Sequence, residues 1–272
     1  MPEIAEVRTV RKVLNNSIVG KTIKDIKYRY DGIIKTDKEE FKDILIGKTF
    51  TKVDNLGKWL FLELGDYTIL SHLRMEGKYY IKDSDEEYEK HEHIIFTLDD
   101  GKDLRYKDVR KFGVMMLVPT KDIYKIPAIA KLGIEPDSNE LTDNYLYNKI
   151  HTSDKLIKEL LLDQSIINGL GNIYVDEVLF EANIDPKRLG SSINPEECER
   201  IIEASAKIIK KATECGGTTI RSYTSSLGVE GTYQKYLKVH TKANQPCPSC
   251  GERIIKKRLA GRGTYFCKKC QK

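Results

Sequence analysis

Cys247-Pro248-Ser249-Cys250 and Cys267-Lys268-Lys269-Cys270 set four thiols in two C-x-x-C pairs separated by 16 residues. Each pair can present two thiolates from one tight turn. The spacer suits a β-hairpin that brings the turns together into a closed zinc site. Two disulfides in a secreted protein are the alternative. Nothing like a signal peptide opens the chain, and tight pairs suit metal better than bridges. Four thiolates leave no open coordination position, so one Zn2+ ion here builds structure and performs no chemistry.

The start, Met1-Pro2-Glu3, offers a different chemistry. Methionine before a small residue is usually removed, which leaves Pro2 with a free secondary amine. An α-amine has a reference pKa near 8, so part of it is neutral and nucleophilic at physiological pH. Such an amine can attack an aldehyde-level carbon and form an iminium ion, with Glu3 moving protons beside it. Proline and glutamate are also ordinary residues at a helix start.

Three further places invite explanation. Gly169-Leu170-Gly171-Asn172 opens a helical stretch and can aim backbone N–H groups at a phosphate, or be a plain helical corner. Arg105-Tyr106-Lys107-Asp108-Val109-Arg110-Lys111-Phe112-Gly113 interleaves basic and aromatic residues, as a nucleic-acid surface or a solvated edge strand does. Leu73-Arg74-Met75-Glu76-Gly77 carries a methionine that by itself reads as core filler. His91 and His93 lack an evident third partner for a metal.

The elements that must position these residues fall into two styles. Apolar Ile4, Val7, Val10, Val13 and Leu14 give helical spacing over 3–15. Eight short β-branched and aromatic runs follow, at 22–30, 49–56, 58–64, 67–71, 77–82, 93–98, 103–107 and 113–118. A second helix fits 38–45, Asp99-Asp100-Gly101-Lys102 reads as a hairpin turn, and acidic 83–92 reads as a solvated loop. Pro119, Pro127, Gly133 and Pro136 mark a connector. Beyond it the period is helical over 142–150, 154–162, 173–182 and 195–214. The last begins with an Asn194 cap and Pro195 and stops at Gly216-Gly217. This predicts an α+β protein. An N-terminal catalytic β-sandwich with flanking helices spans 1–120, and a linker spans 121–136. A helical domain spans 137–234, with a Gly/Ser/Thr-rich loop at 217–234, and a zinc-finger hairpin closes the chain at 235–272.

Charge is distributed unevenly. Residues 235–272 hold eleven Lys/Arg against one acid, hence +10, while the rest hold 35 against 40, hence −5. A basic zinc module on a mildly acidic protein points to a polyanion, most simply nucleic acid. Hydrophobic content of 40% supports real cores, and no apolar run approaches membrane-spanning length. Cys198 and Cys215 are expected to be free thiols of a cytoplasmic protein.

In order and spacing these residues resemble the formamidopyrimidine-DNA glycosylase/endonuclease VIII family of base-excision repair enzymes. The match runs nearly end to end. It takes in Met1-Pro2-Glu3, Gly57-Lys58, His72-Leu73-Arg74-Met75-Glu76-Gly77, Lys90-His91-Glu92-His93, Asp108 to Gly113, and Ile167 to Tyr174. It continues through Gly216-Gly217-Thr218-Thr219 to the cysteines with Arg262 between them.

The resemblance implies a helix-two-turn-helix domain and a monomeric enzyme acting on double-stranded DNA with oxidised bases or abasic sites. It implies no redox or nucleotide cofactor. Pro2 is then the nucleophile at the sugar C1′ and Glu3 the acid/base. Lys58 sits at the lesion phosphate, and Asn172 and Arg262 clamp flanking phosphates. Lys58 and Arg262 have either proton-transfer or phosphate-binding roles. His72, His91 and Lys158 look like further backbone contacts. Met75, Arg110 and Phe112 resemble the residues that fill the gap left by a flipped base and contact the opposite base. That set points to the formamidopyrimidine branch, whereas Ala5 and Arg8 point to the endonuclease VIII branch. The resemblance places a lesion-covering loop at 217–234. A damaged-DNA-binding protein without turnover is the competing class. A zinc-ribbon RNA-binding protein is another, and it leaves the N-terminal residues unexplained.

Overall fold

A computed structural model describes residues 1–218 and 231–272. Residues 219–230, and with them most of the expected lesion-covering loop, lie outside the described residues. The described chain forms two compact units, 1–130 with 216–218 and 231–232, and 131–215 with 233–272.

The first unit opens with α1 (Ile4–Ile18). Its buried Ile4, Val7, Val10, Leu14 and Ile18 recur at three and four residues, one helical face. Strand β1 (Ile23–Tyr28) and helix α2 (Lys38–Leu45) follow. The Asp37 carboxylate caps α2 by accepting from the Glu39 and Glu40 N–H groups, both at 3.0 Å. Seven more strands complete the unit. They are β2 (Lys52–Leu56), β3 (Trp59–Leu64), β4 (Tyr67–His72), β5 (Lys78–Asp83), β6 (Glu92–Leu98), β7 (Lys102–Lys107) and β8 (Val114–Pro119). They pair antiparallel in two four-stranded sheets, β1-β6-β7-β5 and β2-β3-β4-β8. Inward residues of both sheets share one core with α1 and α2, including Ile26, Phe41, Leu62, Ile69, Phe96, Leu104 and Met115. All eight expected strands are present, and the expected turn at 99–102 joins β6 to β7.

The acidic stretch 83–92 is the solvated loop that its composition suggests, exposed from 83 to 87 and at 89 and 90, but its backbone carbonyls have a structural task. It wraps Arg105, which is fully buried on β7. The guanidinium donates to the carbonyls of Asp83 (3.0 Å), Glu86 (2.8 Å) and Glu87 (3.1 Å) and to the carboxylates of Glu92 (3.2 Å) and Asp103 (3.1 Å). Five contacts occupy all five guanidinium N–H donors. Arg105 and the equally buried Tyr106 therefore drop out of any nucleic-acid surface on this segment.

The second unit is helical: α4 (Asp143–Ile150), α5 (Ile157–Leu162), α6 (Asn172–Glu181) and α7 (Pro195–Glu214). Short α3 (Pro127–Ala130) precedes them in the first unit, within the expected connector. Asn194 and Glu197 form a reciprocal capping box at the start of α7, with Pro195 at the first helical position. The chain ends in the hairpin β9 (Ile255–Leu259) and β10 (Arg262–Phe266). Ala260 and Gly261 both have positive φ, 45° and 73°, as a two-residue hairpin turn of the primed type requires. No helix among the described residues is long and apolar enough to cross a membrane.

Candidate active site

The N-terminal residues are held tightly. Pro2 and Glu3 are buried, and Glu3 is the N-cap of α1. The Glu3 backbone N–H donates to Glu6 Oε2 at 2.9 Å. The other oxygen of the Glu6 carboxylate accepts from the Thr218 N–H at 2.6 Å and the Thr218 hydroxyl at 3.0 Å. Gly217 lies against the same carboxylate, where a Cβ would stand 2.6 Å from Glu6 Oε1. Glu6 thus ties the residue beside Pro2 to the segment that leads into 219. Reading the sequence for chemistry passed over Glu6. The one available signal was the three-residue spacing from the cap to a second glutamate.

Lys58 and His72 come together because of strand register. Trp59 on β3 pairs with His72 on β4, so Lys58 leaves the hairpin at the same end. Burial, followed by the positive charges of Arg74 and Lys58, lowers the His72 pKa to about 3. The ring is therefore neutral at physiological pH. Its Nδ1 accepts from the Arg74 N–H at 3.0 Å, which places the ring proton on Nε2. A neutral Nε2–H is a donor suited to a phosphate oxygen and insensitive to pH across the working range.

The turn 108–113 is built on a fully buried aspartate. Asp108 Oδ1 accepts from the Arg110 N–H at 3.0 Å, and Oδ2 from the Gly113 N–H at 2.8 Å. The turn holds Phe112 51% exposed, and the Arg110 guanidinium lies 4.6 Å from the centre of its ring. Met75 is 39% exposed on the turn after β4. Tyr106 links the two turns: a Cβ on Gly77 would lie 2.1 Å from its hydroxyl, and one on Gly113 would lie 1.8 Å from it. Gly113→Ala must therefore displace Tyr106 or the turn. We expect it to cost about 1–3 kcal/mol, as overpacking does. An unchanged unfolding midpoint in denaturant would contradict that packing. His91, with φ of 71°, lies 6.0 Å ring to ring from His93, whose Nε2 contacts the Asp108 carbonyl at 2.9 Å.

In the second unit, Gly171 caps α6 and Asn172 is its first residue. The Asn172 amide donates to the Gly263 carbonyl at 2.9 Å. Arg262, exposed, begins β10 next to that glycine. Lys158 differs from its expected place at the DNA backbone. It is fully buried, with Nζ 2.6 Å from Asp176 Oδ1.

Cys247, Cys250, Cys267 and Cys270 converge, with all four sulfurs within 4.8 Å of one another. Sγ separations of 3.8 Å (Cys247 to Cys270) and 3.5 Å (Cys250 to Cys267) are far beyond a disulfide. They match the edge, about 3.8 Å, of a tetrahedron of sulfurs each 2.3 Å from zinc. The thiols pack with Phe180, Val239 and Ile254, so the cluster also closes a small core. The donor set suits one structural zinc ion. Among the described residues no other such cluster is present.

Three family models match. They are the formamidopyrimidine-DNA glycosylase N-terminal domain over residues 1–115, the formamidopyrimidine-DNA glycosylase H2TH domain over 132–224, and the zinc finger found in FPG and IleRS over 244–272. The formamidopyrimidine-DNA glycosylase of Lactobacillus delbrueckii subsp. bulgaricus is 44% identical over 272 residues, with 100% of both chains covered. Among solved structures, a mutant of the Lactococcus lactis enzyme with Fapy-dG containing DNA superposes at TM-score 0.95, with 39% identity and 100% of both chains covered. The complex of the Lactococcus lactis protein with DNA containing an abasic site gives 0.94, at 39% identity over 99% of each chain.

Proposed function

Since this chain belongs to the formamidopyrimidine-DNA glycosylase family, we propose that it removes oxidised purines from duplex DNA and then cleaves the strand at the abasic site. The observation that carries the reading is the fixed start of α1, where Glu3 caps the helix and Glu6 anchors it beside Pro2. Removal of Met1 frees the Pro2 secondary amine. Its nitrogen attacks C1′ as the glycosidic C–N bond breaks, and the base departs with a proton. The C1′–O4′ bond then opens, O4′ takes a proton, and the resulting iminium acidifies C2′. Loss of a C2′ proton expels the 3′ phosphate, and a second elimination expels the 5′ phosphate. Glu3 moves protons at the sugar. Lys58, His72, His91, Asn172 and Arg262 hold backbone phosphates, and proton transfer during elimination is the alternative role for Lys58 and Arg262. When bound, zinc keeps the hairpin that carries Arg262 folded.

Extruding a base costs a few kcal/mol, which wedging side chains and phosphate contacts offset. Met75 and Phe112 are exposed apolar groups on two turns held together by Tyr106. Arg110 presents a donor fork that meets the acceptors of an opposite cytosine. In this reading residues 1–120 carry the chemistry. The helical region 137–234 and the module 235–272 grip the duplex. The enzyme is a cytoplasmic monomer.

Single-turnover excision on matched duplexes tests the substrate. We expect 8-oxoguanine opposite cytosine, and formamidopyrimidines, to be removed faster than thymine glycol, and 8-oxoguanine opposite adenine to be cut more slowly. Faster removal of thymine glycol would move the chain to the endonuclease VIII type, toward which Ala5 and Arg8 lean, and leave the Pro2 chemistry in place.

A further inference from the structure

Asp176 sits on α6, one turn beyond Asn172 and on the same face. It is 1% exposed, and its carboxylate receives three groups. Lys158 Nζ of α5 lies 2.6 Å from Oδ1. His240 Nδ1 lies 2.7 Å from Oδ2, and the Tyr265 backbone N–H of β10 donates to Oδ2 at 3.2 Å. Lys158 Nζ also lies 3.5 Å from the Gly263 carbonyl, which accepts from Asn172 at 2.9 Å. The strand segment 263–265, immediately after Arg262, is therefore fixed by α5 and α6 at two backbone groups. Asp176 holds one directly and orients Lys158 toward the other.

A buried ion pair is a poor way to gain stability, because desolvating both charges consumes most of the Coulombic gain. Apolar residues would fill the same space at less cost. What the pair adds is direction: each donor is aimed at one atom of the hairpin.

We propose that Asp176 is a positioning residue for Arg262, locking the strand behind it so that helix start and hairpin present one rigid phosphate clamp. The inference rests on the reading that Arg262 holds a backbone phosphate. It assigns Lys158 to the same device, as a strut to the strand and not as a DNA contact.

The test is a double-mutant cycle on the full-length, zinc-loaded protein, read as affinity for an abasic-analogue duplex over a range of salt. Arg262→Ala should weaken binding about tenfold to a hundredfold and reduce the slope of log affinity on log salt by about 1, as loss of one phosphate contact does. Asp176→Asn should retain one zinc per chain and produce most of the same loss in affinity and slope. The double variant should be little worse than Arg262→Ala alone. If the two effects multiply, or if Asp176→Asn leaves the salt slope unchanged, Asp176 does not act through Arg262. If Asp176→Asn fails to fold or to load zinc, the cycle is decided with Lys158→Gln, which keeps a donor toward Asp176. Additivity of that variant with Arg262→Ala overturns the proposal equally. No effect of Arg262→Ala would overturn the underlying phosphate reading, and the inference with it.

Discussion

Glu3→Gln should bind lesion-containing duplex within a few-fold of the unaltered protein and excise the base about a hundredfold to ten-thousandfold more slowly, the range in which a positioned acid or base contributes. The substitution keeps the length and the acceptor oxygen of a residue that is 3% exposed and caps α1. It removes only the ability to take and return a proton. Because the backbone N–H of Glu3 is held by Glu6, the variant should retain the geometry of the N-terminal turn. Single-turnover excision beside equilibrium binding separates the two effects. Near-normal excision would remove Glu3 from the chemistry.

Cys267→Ser should abolish stoichiometric zinc and unfold the hairpin while the first unit stays folded. Cys267 is fully buried among Phe180, Val239 and Ile254, and it supplies one of four sulfurs. A hydroxyl is a poor zinc ligand, and three thiolates without their cation repel one another. In zinc-finger peptides the metal contributes roughly 10–16 kcal/mol, so losing it exceeds what a small hairpin can recover. The first unit has its own core around Phe41, Leu62 and Phe96 and does not draw on these residues. DNA affinity should fall by about a hundredfold or more, because several charged contacts leave together. Metal analysis, amide hydrogen exchange and binding check the three parts. Full affinity in zinc-free protein would contradict the structural role.

Local patterns in the chain specify what local physics controls. Short β-branched and aromatic runs gave all eight strands of the sandwich, and Asn194-Pro195 with Gly216 bracketed α7, because caps and strand propensity are set by near neighbours. The zinc ligands were legible for the same reason: C-x-x-C is a turn property. What stayed hidden depends on burial, which is decided across the fold. Composition makes 83–92 an acidic loop. Most of its residues are indeed exposed, but only the buried Arg105 on β7, with five donors to satisfy, explains why its carbonyls point inward. Lys158 reads as a surface cation until Asp176 and Gly263 are seen around its ammonium. Glu6 and Asp176 are buried carboxylates with partners 212 and 18 residues away, and Asp108 is a buried carboxylate that organises its own turn. Apart from the capping spacing at Glu6, nothing in their own neighbourhoods distinguishes them from solvated acids. The wedge residues were legible by resemblance. Their support by Tyr106 between Gly77 and Gly113 was not, since that contact joins two turns far apart in the chain.

The central claim is that the nucleophile is the nitrogen of Pro2. Borohydride reduction during turnover of 8-oxoguanine duplex should trap a stable protein–DNA adduct, and peptide mapping should place the DNA on the N-terminal peptide, beginning at Pro2. Acetylation of that amine should abolish trapping. An adduct on an internal lysine such as Lys58, with the N-terminal peptide unmodified, would contradict the account.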